Sequence, residues 1–557
     1  MAEEQTADPK TPSSDYTASN HYWNMVNSIL SGVEAMRAIE GYGNAPNVAG
    51  PAIPFAHIAM LNRGLLRTTS GRGSPYLPQF PNETDADYTM RLRHAPMANI
   101  YSDISRNLSS KPFSKTLELD KDTADDLKKL AENIDGQGNN LHVFSREVFK
   151  AGLDKGIDWI LIDYTDVPLG ITLEAERGIG ASPYWVHVPA ERLIAVYSAF
   201  FNGKEIITHA RIYEAYMERN GYSEEQAERV RVFNREEIED ADGNTLGFAP
   251  ATWELFELVE SKDGGGKTSV DWMSVDNGDI TIGIIPLVPF RTGTRNGSSW
   301  HIEPPLRDVA YMQVEEFQQE SNLKTIKELT AFPMVTGNGV TPPTGQDGKD
   351  VFVPVGPRAV LFAPPNSTGR PGQWAFIEPS GTSLNFLKAD LEALKTEMRD
   401  LGMQPLSTAN LTVITTANVS MKAHSAVQAW AIGLKDSLEQ AWKITCMWLG
   451  RPDESPVVKV HTDFGVDIEA GTELADLLKA EAQGVLSKET VQEEFKRRGV
   501  LSDDFDIEAE AEQLAKEQQG LVPEQAIDPV TGAIMQPSTR PRLVTQPGAP
   551  KLAPSLN

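Results

Sequence analysis

Leu384-Asn385-Phe386-Leu387-Lys388-Ala389-Asp390-Leu391-Glu392-Ala393-Leu394-Lys395-Thr396-Glu397-Met398-Arg399-Asp400-Leu401-Gly402 is the stretch whose spacing decides most about this chain. Leu384, Leu387, Leu391, Leu394, Met398 and Leu401 recur at intervals of 3-4-3-4-3. That spacing predicts a helix with one apolar seam, packed along another helix. Gly402 stands where a C-terminal glycine closes a helix. At about 100° per residue, Lys388, Lys395 and Arg399 form one row beside the seam. Asp390, Glu397 and Asp400 point to other sides, and Glu392 sits near the basic row.

Upstream of the seam, residues 305–330 predict a second long helix. Leu306, Val309, Ala310, Val314 and Phe317 mark one stripe, and Leu323, Ile326 and Leu329 mark another turned away from it. Pro305 suits a first turn, where no N–H is needed. Between the two helices, residues 333–381 are rich in Gly and Pro and contain short β runs. Val351–Val355 and Ala359–Phe362 flank Gly356-Pro357 and suggest a hairpin, with a third strand at Trp374–Ile377. Downstream, residues 403–418 form a polar, β-branched connector, and a long helix is expected over 419–449, stopped by Gly450 and Pro452.

Further out, residues 21–303 form a mixed α+β region. Helical spacing covers 21–37, 85–108 and 141–152, and an apolar strand covers Trp159–Tyr164. From 184 to 289, β-rich runs alternate with Gly, Asn and Asp turn signals. Residues 1–20 are polar and acidic and read as a disordered arm. Three short helices are expected at 473–483, 488–498 and 507–519, the second capped by Ser487. The Pro/Gln/Thr/Gly-rich tail, 521–557, is expected to be disordered.

The length of 557 residues suggests several domains, and 40% apolar residues can build real cores. A formal net charge of −27 argues against a protein that grips DNA through phosphate neutralisation. It fits an acidic solvated surface, or a passage through which DNA slips without sticking. One cysteine, Cys446, in an apolar run excludes a disulfide framework and a Cys-based metal site. There is no apolar signal region in residues 1–20 and no run of 18 or more apolar residues, so no membrane span is expected.

A search for chemistry finds little. Asp263-Gly264-Gly265-Gly266-Lys267-Thr268 imitates the end of a phosphate-binding loop, but Ser261 stands where its first Gly is needed. The following residues read as strand, so a hairpin turn between Trp253–Val259 and Ser269–Val275 is expected instead. The nine histidines are scattered, with no His-Glu-x-x-His pair for zinc. No Gly-x-Ser-x-Gly elbow occurs. With 78 carboxylates, chance acidic pairs abound and none stands out as acid and base. No catalytic, metal or cofactor site is expected.

The order of elements, an α+β region, helix, β-rich insert, seam helix, connector and long helix, resembles the portal proteins of tailed bacteriophages. Local motifs are similar too: Tyr76-Leu77-Pro78 with Glu83, Tyr88, Arg91-Leu92, Ala95 and Asn99; Lys111-Pro112-Phe113-Ser114-Lys115; Gly156 through Tyr164; and Leu486 through Thr490 with Gly499-Val500-Leu501 and Asp503-Asp504-Phe505. The resemblance covers residues 20–520. It implies an α+β, multidomain subunit that assembles into a dodecameric ring. In that frame residues 21–303 are wing, 304–331 the first stem helix, 332–382 the clip, and 383–402 the second stem helix. Residues 403–418 are then the tunnel loop, 419–465 the wing helix and its return, and 466–520 the crown. The implied function is the channel at one capsid vertex through which double-stranded DNA is packaged and ejected. The implied partners are the terminase large subunit, a neck or tail adaptor, and the major capsid and scaffolding proteins. The particle, assembled in the host cytoplasm, would be the chain's location.

Within that resemblance, Lys388, Lys395 and Arg399 are candidates to face DNA, the alternative being an ordinary solvated face with a Lys388–Glu392 pair. Thr408, Asn410, Thr412, Thr415, Thr416 and Asn418 are candidates to offer neutral donors to phosphates, the alternative being a plain helix connector. Two other readings stay open: a different head–neck adaptor or minor capsid protein, and a hydrolase with an unrecognised site.

Overall fold

Ser13 accepts the Tyr16 N–H at 3.2 Å and so opens α1 (Ser14–Ser31). The computed structural model describes residues 8–38, 74–80, 83–165, 167, 175, 178–240, 245–262, 268–330, 334–338, 360–363, 373–377, 382–402, 413–462, 478–483, 487–497, 501 and 510. The protein is α+β, with helices interleaved among several separate sheets. It divides into two units, Met1–Val466 and Asp467–Asn557.

In the first unit, α1 corrects the expected arm over residues 1–20. Tyr16, Ser19 and Asn20 are buried, and Ser13 N–H bonds the Ile194 carbonyl at 2.9 Å. The polar composition hid a helix held by tertiary contact as well as by its cap. Residues 1–7 lie outside the described residues. A short α2 (Val33–Arg37) follows Gly32. The single helix expected over 85–108 is two, α3 (Asp85–His94) and α4 (Ile100–Ser110). Pro96 explains the break: it has no N–H and keeps Ala95 in extended geometry, at ψ 115°. Asn99 restarts the helix by accepting the Ser102 N–H at 3.0 Å.

Next come β1 (Glu118–Leu119), α5 (Asp125–Ala131), α6 (Leu141–Lys155) and β2 (Ile157–Tyr164). The strands β3 (Pro183–Val188), β4 (Leu193–Phe201), β5 (Lys204–Asn220), β6 (Ser223–Asn234), β7 (Glu237–Glu239) and β8 (Thr245–Phe248) follow. Then come β9 (Thr252–Lys262), β10 (Thr268–Asp279), β11 (Leu287–Arg291), β12 (Thr294–Arg295) and β13 (Ile302–Glu303). Strands β10-β9-β6-β5-β4 make one antiparallel sheet and β11-β2-β3 another. The hairpin expected around the Gly-rich run is β9–β10, and residues 263–267 at its turn lie outside the described residues.

Strand β2 is apolar through Trp159–Ile162 because both its faces are covered there. Trp159 and Leu161 enter one core, with α1, α4 and the five-stranded sheet. Ile160 and Ile162 enter a second, with α6 and the long helix near the end of this unit.

That region begins with α7 (Arg307–Thr330) and continues through β14 (Met334–Asn338), β15 (Val360–Ala363) and β16 (Gln373–Ile377) to α8 (Thr382–Leu401) and α9 (Val413–Trp448). The insert sheet has order β15-β14-β16. Among the described residues, strand β15 pairs in parallel with β14, a pairing the sequence reading did not anticipate. Parallel strands cannot be joined by a tight turn. Residues 351–355 lie outside the described residues, while the expected third strand is present as β16, antiparallel to β14. Strand β17 (Val458–Lys459) pairs back with β1.

In the second unit, α10 (Lys488–Arg497) starts at the expected cap, with Ser487 Oγ accepting the Thr490 N–H at 3.1 Å. Of the other two expected helices, residues 478–482 are helical, and 507–519 lie almost wholly outside the described residues, as does the tail 521–557.

Candidate functional site

The seam of α8 turns its middle inward. Leu391, Leu394 and Met398 are buried, Leu384 and Leu387 are half-buried, and Leu401 is 47% exposed. Gly402 takes the buried place beyond it, so close to α4 that an added Cβ would lie 2.4 Å from Ile104 Cδ1. On α7, Leu306, Val309, Ala310 and Phe317 are buried and Val314 is half-buried, as the first stripe predicts. Leu323 of the second stripe is buried as well.

The basic row divides. Lys395 does not face solvent: its ammonium bonds Glu320 of α7 and lies 3.7 Å from Glu316, whose side chain is fully buried. Burial opposes the Lys395 charge, but Glu320, Glu316 and Glu392 hold its pKa above the ordinary lysine range. Arg399 is half-buried, with one guanidinium nitrogen 3.5 Å from the Lys395 carbonyl. Lys388 is exposed and has no ion pair among the described residues, so the alternative Lys388–Glu392 pair is not formed. Helical projection placed these three residues in one row along α8. It could not show that α7 brings two carboxylates to the middle of the row.

Glu316 and Gln313 are polar residues that the apolar pattern of α7 passes over. Gln313 accepts the Tyr101 N–H at 3.0 Å and donates to the Ala98 carbonyl at 3.0 Å and to Glu316 at 3.0 Å. Glu316 accepts the Ala98 N–H at 3.3 Å. Together they bind backbone groups at and just before the start of α4, amides that have no partner within that helix. Burial pushes the Glu316 carboxyl up to about 7; Glu320 adds to the shift, and Lys395 and the Ala98 N–H oppose it.

Of the connector candidates, Thr408, Asn410 and Thr412 lie outside the described residues. Thr415, Thr416 and Asn418 stand in the first turns of α9, because that helix starts at Val413 and not at 419. The expected loop over 403–418 is thus shortened at its C-terminal end. β-branched residues lower helix propensity by only tenths of a kcal/mol each, about 0.7 at most, and a 36-residue helix carries them.

The far half of α9 lies on the β11-β2-β3 sheet. Trp185 donates its indole N–H to Thr445 at 2.8 Å, Trp448 to the Ile162 carbonyl at 3.1 Å, and Ser437 its hydroxyl to the Pro289 carbonyl at 2.9 Å. Cys446 is buried there as a free thiol, as its apolar run suggests. Within the same sheet, His187 of β3 bonds the buried Asp158 of β2, and at the end of α6 Lys155 bonds Glu191. Burial raises the Asp158 pKa and His187 partly offsets it; the Asp158 carboxylate outweighs burial at His187 and raises the imidazole. No group of three or more metal-ligating side chains occurs among the described residues. None of their helices is long and apolar enough to cross a membrane.

The family model described as "Domain of unknown function (DUF4055)" matches residues 305–449, the segment from α7 through α9. No curated protein sequence matches the chain. A solved structure described as the neck of a native GTA particle, computed with C12 symmetry, is similar at 13% identity and a TM-score of 0.34. The match covers 79% of this chain and 97% of that one. A likeness at that level carries no argument.

Proposed function

We propose that this chain is a portal subunit, one member of a ring through which double-stranded DNA enters and leaves a phage capsid. One observation carries the reading: α7 and α8 are linked through the segment that holds β14–β16, pack on one another, and are followed in the chain by the 36-residue α9. A helix pair of this kind can form a barrel wall when copies associate head to tail. The acidic balance of −27 suits a conduit that must not hold DNA.

In this reading α7 and α8 are the stem, residues 332–382 the clip, and the terminase large subunit and a neck or tail adaptor dock in turn. Major capsid and scaffolding proteins surround the ring, which resides in the virion. The ring carries DNA without chemistry of its own, and the partner motor supplies ATP hydrolysis. DNA contact rests less on a basic row than the helical projection implied, since Lys395 is internally paired.

Negative-stain imaging of the purified full chain tests the proposal. Closed rings of roughly twelve subunits with a central channel are expected. A chain that stays monomeric at high concentration overturns it in favour of an adaptor or minor capsid protein. Turnover of an ester, peptide or phosphoester substrate abolished by a point substitution would instead favour the hydrolase reading.

A further inference from the structure

Glu316, Glu320 and Lys395 form an unbalanced cluster. Two carboxylates from α7 share one ammonium from α8, and the Glu316 side chain is 0% exposed. Fully ionised, the cluster holds one net negative charge, with Glu316 fully buried and Glu320 and Lys395 only partly exposed, and burying excess charge is costly. Adding one proton makes it neutral. Its other contacts among the described residues are the Ala98 N–H on one oxygen and the Gln313 amide on the other; both donate to the carboxyl and oppose protonation without outweighing burial. The groups facing it are those of three elements. Glu320 comes from α7; Lys395 comes from α8, with Glu392 beside it; the segment leading into α4 brings only backbone amide.

We propose that this cluster is a proton-operated latch: uptake of one proton on the Glu316 carboxyl closes α8 onto α7 and the start of α4, and its release loosens that contact. The physical basis is local. Deprotonation leaves the excess charge where α8 meets α7, and the nearest relief is water entering between them. Leu391, Leu394 and Met398, buried on the same part of α8, would share in the loosening. The latch rests on the geometry of one chain and is independent of the portal reading.

Hydrogen exchange of the full chain, corrected for the intrinsic rate at each pH, tests it. Protection of the Ala98 and Tyr101 amides and of residues 391–401 is expected to fall by about tenfold or more across neutral pH. Glu316→Gln keeps an acceptor for Ala98 and removes the proton, so its protection should stay high and flat. Glu320→Gln gives Lys395 to Glu316 alone, so the transition should move to lower pH. A flat wild-type profile overturns the latch, as does a wild-type transition that survives in Glu316→Gln. Should Glu316→Gln fail to fold, the Glu320→Gln midpoint decides: a fall supports the latch and no movement overturns it.

Discussion

Glu316 is the residue at which burial and charge conflict most openly. Its carboxyl is raised from 4.5 to about 7, so the folded chain keeps this proton where the unfolded chain has lost it. The associated stability is therefore full below the ordinary carboxyl range and is lost as pH rises toward about 7. Urea midpoints for the wild type should fall more between about pH 5 and pH 8 than those of Glu316→Gln. Equal falls would show that the group does not titrate in that window. Thr445 offers a cleaner residue-scale case. Thr445→Val removes the acceptor of the buried Trp185 indole N–H while keeping the side chain's shape. A loss of about 1–3 kcal/mol is expected in chemical denaturation. None of these partnerships can be seen in sequence, since Thr445 and Trp185 are 260 residues apart.

Between elements, spacing foretells which face is apolar and leaves open what covers it. The seam of α8 was legible because its intervals repeat, yet Leu401 is exposed and Gly402 is buried. The reason is contact with α4, where only a hydrogen fits between the α8 terminus and Ile104. Gly402→Ala should destabilise by about 1–3 kcal/mol through overpacking. Ile104→Val in the same chain should recover part of that loss, and a purely additive double variant would argue against direct contact. The β-rich insert shows the opposite limit. Strands β15 and β16 were legible as short β-branched and aromatic runs; β14 and its parallel pairing with β15 were not, because strand pairing is chosen across sequence distance.

For the whole molecule, the exposed apolar side chains of α8 matter most. Phe386 is 71% exposed and Leu401 47% in the single chain. Under the portal reading they are covered by neighbouring copies. Phe386→Ser should leave thermal unfolding of the isolated chain within about 0.5 kcal/mol of wild type, since a surface change rarely does more. The same substitution should lower the yield of rings in native mass spectrometry. An unchanged yield would remove Phe386 from the interface. The two hairpins β5–β6 and β9–β10 are a second feature of this scale. Their shared register runs only from Arg229 to Asn234 on β6, so each continues beyond it as two strands.

By itself the sequence determined the fold class, the long helices, the capped start of α10 and the hairpin that displaces a phosphate-loop reading. Each of these depends on neighbours within a few residues: periodicity, a cap, a turn glycine. Tertiary structure alone decided that the polar N-terminal stretch is helical and that both faces of β2 are covered. It also decided that the basic row of α8 is interrupted by an internal ion pair at Lys395. Those outcomes depend on desolvation and charge pairing between segments far apart in the chain. Local periodicity carries no record of what distant residues bring to a helix face.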